Sequence, residues 1–324
     1  MQTLHTDGAL PPHPPSPRKQ LKNAERFREK HVRGRSRRVG YLRQHWRGDL
    51  PLAAAVIVSA ALVWGAVQAI GFASRQVPIT DYPIGSSLLW LLEVAVLIAG
   101  ALWWGTGVQR SAIESVDRGG SMPVALLTGI VGLGAFVWVG VFWFQSARYV
   151  MPEVWSTLIG SSPPAAVQLE PRSNQIVLQG GLEFGTTRAV REVLDAHPEV
   201  QVVRLQSKGG RVAEGLALGT LLRDRNLDTL VEGECSSACV TAFAGGARRI
   251  LGQNAAIGMH SAGGAGFTAD VVASANRRSD DFIAARGVDR RVLEQGAAIA
   301  NDQIWFPSPQ LLLSSGLATE LASR

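Results

Sequence analysis

The sequence predicts an α/β domain preceded by three transmembrane α-helices, and three observations support this fold class. Three apolar runs of 21 to 23 residues lie between residues 50 and 144. Beyond residue 173, short apolar runs alternate with helix-like runs, a pattern typical of parallel strands joined by helices. Positive charge is concentrated before the first apolar run, as at the cytoplasmic end of a membrane segment.

Residues 1–48 form a basic arm. The whole chain carries a net charge of +6, yet its first 49 residues hold 12 Lys or Arg and only four Asp or Glu. The run PPHPPSP has no apolar periodicity, which predicts a largely disordered segment, and residues 18–48 could form a basic helix at a membrane surface. Because the arm leads directly into an apolar run, we interpret it as a cytoplasmic topology signal and expect no nucleic-acid partner.

Residues 49–145 are predicted to cross a lipid bilayer three times, at about Leu50–Phe72, Leu88–Val108 and Met122–Phe144. At a rise of about 1.5 Å per residue, helices of this length span a hydrocarbon core. With the arm in the cytoplasm, three crossings leave the rest of the chain outside. The sequence therefore predicts a protein of the bacterial inner membrane whose C-terminal domain is periplasmic, and the first run lies too far from residue 1 for an ordinary signal peptide.

Glu93 is an ionisable residue within the second predicted span. A carboxylate in hydrocarbon is costly, and by default it marks a functional position. The closeness of Glu93 to the expected outer boundary also fits a solvated carboxylate. Both interpretations stay open, as does a role of the spans beyond anchoring.

Residues 146–172, with the run SSPPAA, are predicted to be a linker to the domain of residues 173–324. In that domain the apolar patterns predict five strands and six helices. The strands are Ile176–Leu178, Val200–Leu205, Thr229–Val231, Arg249–Leu251 and Ala256–Met259, and the helices are Thr186–Ala196, Val212–Arg225, Ala238–Ala244, Ala269–Arg286, Asp289–Ala300 and Pro309–Ser315.

The run GECSSACVTAFAGG places Ser237 between a predicted strand and a predicted helix. A serine hydroxyl becomes a nucleophile when a base accepts its proton and a third group orients that base. His260, at the end of the apolar strand AAIGM, is a candidate base. A structural histidine would fit the same position, so the pattern alone leaves both readings open.

Cys235 and Cys239 bracket the serine pair. A local disulfide and a pair of packed free thiols both fit this spacing. Two thiolates without further ligands nearby do not favour zinc, and we expect neither a metal nor another cofactor.

The run SKGGRVAEG places Gly209 and Gly210 where a strand turns into a helix. Glycine lets backbone N–H groups approach a ligand closely, and N–H groups of this kind stabilise the negative charge that develops in acyl transfer. A simple strand-to-helix turn would have the same sequence.

Together these motifs, followed by WFPSPQLLLSSGLAT, resemble the proteolytic subunit of the Clp protease and its periplasmic and membrane-bound relatives in the Clp/crotonase superfamily. The resemblance covers about residues 174–322 and implies a superhelix of ββα units. It implies Ser237 as nucleophile, His260 as general base, and the backbone N–H groups of Gly210 and Ala238 as an oxyanion hole. The implied substrate is a peptide or protein, and a homo-oligomer stays open.

The third catalytic residue that the resemblance implies is Asp302, which precedes an aromatic-apolar run. Asn301 could orient the imidazole instead. Three further acidic residues are interpreted as solvated helix positions: Asp280, Asp281 and Asp289. The chain departs from the family in its membrane spans, in the two cysteines, and in Lys208, where the family has proline.

The resulting hypothesis is a membrane-anchored serine hydrolase, most simply a peptidase with a Ser-His-Asp triad. One alternative is a non-catalytic Clp-like module that binds a partner protein. A crotonase-type site for acyl-CoA is disfavoured because that chemistry does not require the Ser237 and His260 pair. A Ser-Lys dyad would have to use Lys208, the only lysine beyond the spans.

Overall fold

The computed structural model of the chain describes residues 40–170, 173–264 and 268–322. The chain divides into two compact units. The first comprises the chain up to Gly65 together with Leu97–Trp138, and the second comprises Ala66–Val96 together with the chain from Val139 onward. The predicted basic arm lies outside the described residues up to residue 39.

Three long helices contain the predicted membrane spans. The described helices of this part are α1 (Tyr41–Arg47), a π-helical turn (Ala54–Val58) that continues into α2 (Ser59–Arg75), α3 (Pro83–Asp117) and α4 (Met122–Ile159). The segments Ala54–Arg75, Pro83–Asp117 and Met122–Gln145 are long and apolar enough to cross a membrane. Large apolar side chains on them are exposed, for example Trp64 at 67% and Phe144 at 72%, as expected of a surface that faces lipid.

A buried histidine in the first unit joins α1 to α2 and α3. His45 Nδ1 lies 3.0 Å from Ser59 Oγ, and His45 Nε2 lies 3.2 Å from the carbonyl oxygen of Trp104. A Cβ atom on Gly107 would lie 2.0 Å from Nε2, so only glycine leaves room for the ring at this position. The described end of the basic arm is therefore packed against the apolar helices.

Glu93 lies on α3 opposite Gly71 of α2, in the second unit. A Cβ atom on Gly71 would lie 3.1 Å from Glu93 Oε1. The carboxylate is half-buried and occupies the space that the glycine leaves. A functional role of Glu93 stays a prediction.

The predicted linker over residues 146–172 contains regular structure. Helix α4 continues to Ile159 and includes Pro152, and residues Ala166–Glu170 form strand β1. Val154 is buried on this extension, and Val167 and Leu169 pack against the core. Neither element is predicted from the sequence, because the polar and proline-rich composition hides short apolar patterns that only packing makes decisive.

The α/β domain is a seven-stranded sheet with helices between the strands. After β1 the elements are β2 (Gln175–Gln179), α5 (Thr186–Ala196), β3 (Val202–Ser207), α6 (Val212–Asp224), β4 (Asp228–Ser236), α7 (Ala238–Ala244), β5 (Arg249–Leu251), β6 (Ala256–Gly258), α8 (Ala269–Ala284), α9 (Arg290–Ala297), α10 (Pro309–Ser314) and β7 (Glu320–Leu321). The strand order is β1-β2-β3-β4-β5-β7, and β6 also pairs with β4. Among the strands that the structure describes, β1 is antiparallel to β2, and the other strand pairings are parallel.

One face of the sheet carries the core. Leu178, Leu205, Val231 and Leu251 are partners across four adjacent strands, and all four are buried. Because side chains alternate between the two faces of a strand, this register sends every second residue into the core. Burial of each such side chain stabilises the fold by roughly 1.5–3 kcal/mol.

The long strand β4 brings three strand ends together. Thr229–Val231 pair with β5, and Glu234–Ser236 pair with β6. At the same end of β4, Cys235 is the partner of Ser207 in β3. The segments that follow β3, β4 and β6 therefore leave the sheet side by side.

A buried carboxylate on α6 caps the beginning of α5. Glu214 Oε1 and Oε2 accept hydrogen bonds from the backbone N–H groups of Gly185 and Thr187, each at 2.9 Å. Gly185 has no side chain with which to cap the helix, so Glu214 satisfies donors that the helix itself cannot satisfy. Burial raises the pKa of Glu214, and the donors of Thr187 and Gly185 partly offset that effect.

We expect Glu214→Ala to lower the free energy of unfolding by about 3 kcal/mol, because it leaves buried N–H donors without an acceptor. Thermal unfolding of the full chain in detergent measures the effect. Glu192→Ala on the exposed side of α5 is the matched control and should cost less than about 0.5 kcal/mol. Equal effects of the two substitutions would contradict the capping role.

Candidate active site

Ser237 occupies a strained turn between β4 and α7. Its backbone angles are φ 56° and ψ −126°, and its N–H donates to the carbonyl oxygen of Gly258 at 2.8 Å. Three described non-glycine residues have positive φ; the other two, Asn174 and Asn226, are of a type that tolerates it. A serine in this conformation is unfavourable by roughly 1–3 kcal/mol, and such strain is concentrated at functional sites.

Glycines make the turn sterically possible. A Cβ atom on Gly209 would lie 2.7 Å from Ser237 Cβ, and one on Gly258 would lie 2.3 Å from Ser236 Oγ. Any larger residue at either position would push the turn out of place. The SKGG motif thus packs directly against the serine turn.

The two serines of the motif have different environments. Ser236 is fully buried, and its hydroxyl donates to Glu234 Oε1 at 2.8 Å. Ser237 is half-buried and lines a cavity of about 50 Å³ together with His260. The hydroxyl of Ser237 is therefore the one that a ligand in the cavity can reach.

Cys235 and Cys239 are joined by a disulfide. Both residues are fully buried. The bond links the end of β4 to the second residue of α7 and therefore closes the chain across the serine turn.

Gly209 and Gly210 form a loop after β3, the glycine loop, in which one backbone N–H group has no hydrogen-bond acceptor in the described part of the chain. Gly209 and Gly210 have φ angles of +101° and +144°, and Leu182 forms two backbone hydrogen bonds around Gly210, each of 2.8 Å. Within the described residues, the N–H groups of Gly210 and Ala238 donate no hydrogen bond. Ala238 is also the first residue of α7, where N–H groups have no partner within the helix.

Arg211 holds the exit of the glycine loop. Its guanidinium donates to Glu183 Oε2 at 2.9 Å and to Glu153 on the extension of α4. Burial by itself lowers the pKa of Arg211, but the hydrogen bonds to Glu153 and Glu183 outweigh it and raise the pKa. Arg211 therefore stays charged and fixes the loop next to Leu182.

Two backbone contacts place His260. Met259 and Trp305 exchange hydrogen bonds of 2.8 and 3.0 Å, and the N–H of Ser261 donates to the carbonyl oxygen of Ile299 at 2.9 Å. The residues on both sides of His260 are thus fixed to the segment that contains Asn301.

Asn301, not Asp302, contacts the imidazole. Asn301 Nδ2 lies 3.3 Å from His260 Nδ1 and donates to the carbonyl oxygen of Ser261 at 3.1 Å. Asp302 is exposed and, in the part of the chain that the structure describes, forms no hydrogen bond with His260. With the amide as donor, the proton of a neutral ring lies on Nε2, whereas a general base needs Nε2 unprotonated.

Ser237 and His260, both among the described residues, share the cavity without a direct hydrogen bond. Catalytic hydrogen bonds are often long in ligand-free structures and shorten when substrate binds. The structure thus brings together Ser237, His260, the glycine loop and Asn301. The catalytic role of Asp302 stays a prediction.

Asp280 is a residue of this site that the sequence analysis missed. It was assigned to a solvated helix position, but it is half-buried and lines the cavity with Ser237 and His260. Burial, reinforced by the neighbouring Asp281, raises the pKa of Asp280 to about 6. Helical spacing was an available signal, because Asn276, Asp280 and Ile283 share one face of α8 and all line the cavity.

Lys208 does not line the cavity of Ser237 and His260. It is exposed and lines a different cavity, with Gln179 and Glu234 among its neighbours. The GGAG run, Gly263–Gly266, lies partly outside the described residues. Among the residues that the structure describes, no group of three or more His, Cys, Asp or Glu side chains could hold a metal ion.

Comparison with known proteins yields structural likeness only. No protein-family model matches the sequence, and no curated protein matches it. A point mutant of ClpP1 from Listeria monocytogenes has 15% identity and a TM-score of 0.41, with 47% of this chain and 93% of that chain covered. ClpP1 from the same organism has 16% identity, a TM-score of 0.41 and the same coverage. The ClpP protease catalytic domain from Plasmodium falciparum has 15% identity and a TM-score of 0.39, with 47% and 87% covered.

We expect Gly209→Ala to slow the reaction of Ser237 with a fluorophosphonate at least about tenfold and to cost roughly 1–3 kcal/mol of stability, because the new Cβ collides with Ser237 Cβ at a positive φ. Labelling rates and thermal unfolding of the full chain measure both effects. In Gly181→Ala, the matched control, the nearest atom would be 3.7 Å away, and both values should stay unchanged. A Gly209→Ala protein that behaves like this control would rule out the packing role.

Proposed function

We propose that this protein is a membrane-anchored serine hydrolase with a Clp-like fold, and that it cleaves peptides or proteins. The strained turn of Ser237 carries the proposal: it presents a hydroxyl to a cavity shared with a histidine. The free N–H groups of Gly210 and Ala238 support it, since acyl transfer requires donors at the developing oxyanion.

In the proposed reaction, His260 Nε2 accepts the proton of Ser237 Oγ while Oγ bonds to the substrate carbonyl carbon. The Gly210 and Ala238 N–H groups stabilise the negative charge on the carbonyl oxygen. The C–N bond then breaks, and the leaving amine takes the proton from His260. Water then attacks the acyl carbon and gives a proton to His260. The bond between that carbon and Ser237 Oγ breaks, Oγ takes the proton from His260, and the acid is released.

The group that orients His260 is drawn from Asn301 and Asp302. Asn301 is in contact with Nδ1, and histidine-asparagine pairs serve cysteine proteases in this way. Turning the amide so that Oδ1 accepts from Nδ1–H would leave Nε2 unprotonated, although Oδ1 would then approach the carbonyl oxygen of Ser261. Asp302 would need to move toward the ring to replace Asn301.

We further propose that the catalytic domain lies on the periplasmic side of a bacterial inner membrane. Three apolar helices and the basic arm before the first of them support this orientation. The Cys235–Cys239 disulfide supports it as well, because disulfides persist in oxidising compartments and are rare in the cytosol.

Ser237→Ala is expected to abolish labelling of the full chain by a fluorophosphonate, because it removes the nucleophilic oxygen. Ser236→Ala is the matched control and should keep labelling within about threefold, since the Ser236 hydroxyl is buried against Glu234. Persistent labelling of Ser237→Ala, identified by mass spectrometry at another residue, would eliminate the proposed nucleophile.

A membrane-impermeant probe applied to intact spheroplasts tests whether the catalytic domain is periplasmic. The probe should label Ser237, and protection of Ser237 would contradict the periplasmic location.

For the orienting group, Asn301→Ala should slow labelling at least about tenfold and shift its pH profile, because the ring loses the contact at Nδ1. Asp302→Asn, at the adjacent exposed position, should change the rate less than about threefold. The rates are measured between about pH 5 and pH 9, on either side of the ordinary pKa of histidine. The reverse order of effects would assign the role to Asp302.

A second candidate is a non-catalytic module that binds a partner protein. The absence of a hydrogen bond between the described residues Ser237 and His260 favours it, as does the donor orientation of the Asn301 amide. A wild-type protein that no fluorophosphonate labels would select this candidate.

A further inference from the structure

The cavity beside Ser237 has the position of a specificity pocket. It is lined by both Ser237 and His260, so a side chain next to a carbonyl carbon bonded to Ser237 Oγ can enter it. Its volume of about 50 Å³ is small. So small a volume favours an unbranched side chain over an aromatic ring.

The walls combine apolar and polar side chains, and one of the polar ones is a carboxylate. The apolar lining includes Val240, Met259, Ile283 and Leu293, which suit a chain of methylene groups. Asp280 projects from α8 into the same cavity. Asn276, one helical turn earlier, fixes α8 against the segment after His260: its Nδ2 donates to Ser261 Oγ at 2.9 Å, and its Oδ1 accepts from the Ala262 N–H at 2.8 Å.

Asp280 lacks a partner among the described residues. It forms neither a hydrogen bond nor an ion pair with them, whereas the adjacent Asp281 pairs with Arg290 at 3.0 Å. A half-buried carboxylate without a partner is costly, and a cation placed beside it would recover part of that cost. The cavity therefore places beside its apolar side chains a carboxylate that Arg290 attracts but that forms no hydrogen bond or ion pair with the described residues.

We propose that this cavity receives the substrate side chain next to the scissile bond and that Asp280 makes it selective for a slender cationic side chain of the lysine type. The proposal rests on the proposed hydrolase function, since it names the substrate of that same site. Lysine fits better than arginine because its ammonium is compact and its stem is a flexible four-carbon chain, whereas the guanidinium is a broad plane.

The selectivity depends on pH. Asp280 has a pKa of about 6, and the charges that face it are Asp281 on α8 and Arg290 and Glu294 on α9, with His260 in the same cavity. Only the ionised carboxylate attracts a cation, so selectivity is present above about pH 6 and is lost as the pH falls through that value.

Two diphenyl aminoalkylphosphonates test the proposal, one with a lysine side chain and one with the uncharged norleucine side chain of nearly equal length. In the reaction, Ser237 Oγ bonds to phosphorus, its proton passes to His260 and one phenoxide leaves. At about pH 8 the full chain in detergent should react at least about tenfold faster with the lysine probe. Asp280→Asn should bring the ratio of rates close to one, and the matched control Asp281→Asn should leave it within about twofold.

Four results would overturn the inference. Equal rates for the two probes in a wild-type protein that a simple fluorophosphonate labels would refute the lysine pocket and leave the hydrolase proposal intact. A loss of both rates by the same factor in Asp280→Asn would show a structural role instead. A wild-type protein that no probe labels would refute the hydrolase and the pocket together. Should Asp280→Asn fail to fold, the decline of the wild-type ratio between about pH 8 and pH 5 decides, and a constant ratio refutes the proposal.

Discussion

The positive φ of Ser237 is the constraint on which the rest of the site depends. A serine does not adopt this conformation without support, and three features hold it: the carbonyl oxygen of Gly258, the space left by Gly209, and the disulfide across the turn. Together these contacts offset the cost of roughly 1–3 kcal/mol. The same conformation separates the two serines, one turned into the core and the other into the cavity.

The sheet register explains why the remaining groups gather around that turn. In a parallel sheet all strands end at one edge, and ligand sites form where their following loops meet. Ser207 is the partner of Cys235, and Ser236 is the partner of Gly258. The glycine loop therefore leaves β3 beside the serine turn, and His260 follows β6 two residues beyond Gly258. A slip of one residue in either pairing would turn every side chain of that strand to the opposite face.

Local patterns were sufficient for part of this arrangement. Helices α5 and α7 have the bounds that the sequence predicts, because amphipathic spacing or a run of small residues marks their ends. Strand β1 and the extension of α4 were missed, since both depend on packing against residues distant in the chain. Dependence on distant contacts also limits what the sequence predicts about the site. Ser237 lies in a local turn motif that the sequence shows. The contact of Asn301 with His260 depends instead on the pairing of Met259 with Trp305. Asp280 faces the cavity only because α8 folds back over α7.

The positions of Asn301 and Asp280 concern the positive charge that forms on the His260 ring in the proposed reaction. In a Ser-His-Asp triad one carboxylate both orients the imidazole and stabilises the imidazolium that forms. Here an amide touches Nδ1, so it can set the ring direction but carries no charge. The carboxylate that lines the same cavity is Asp280, which is ionised above about pH 6 and, among the described residues, forms no hydrogen bond with the ring. In the proposed mechanism Asn301 would therefore orient the ring, while Asp280 would remain available to a cationic side chain of the substrate.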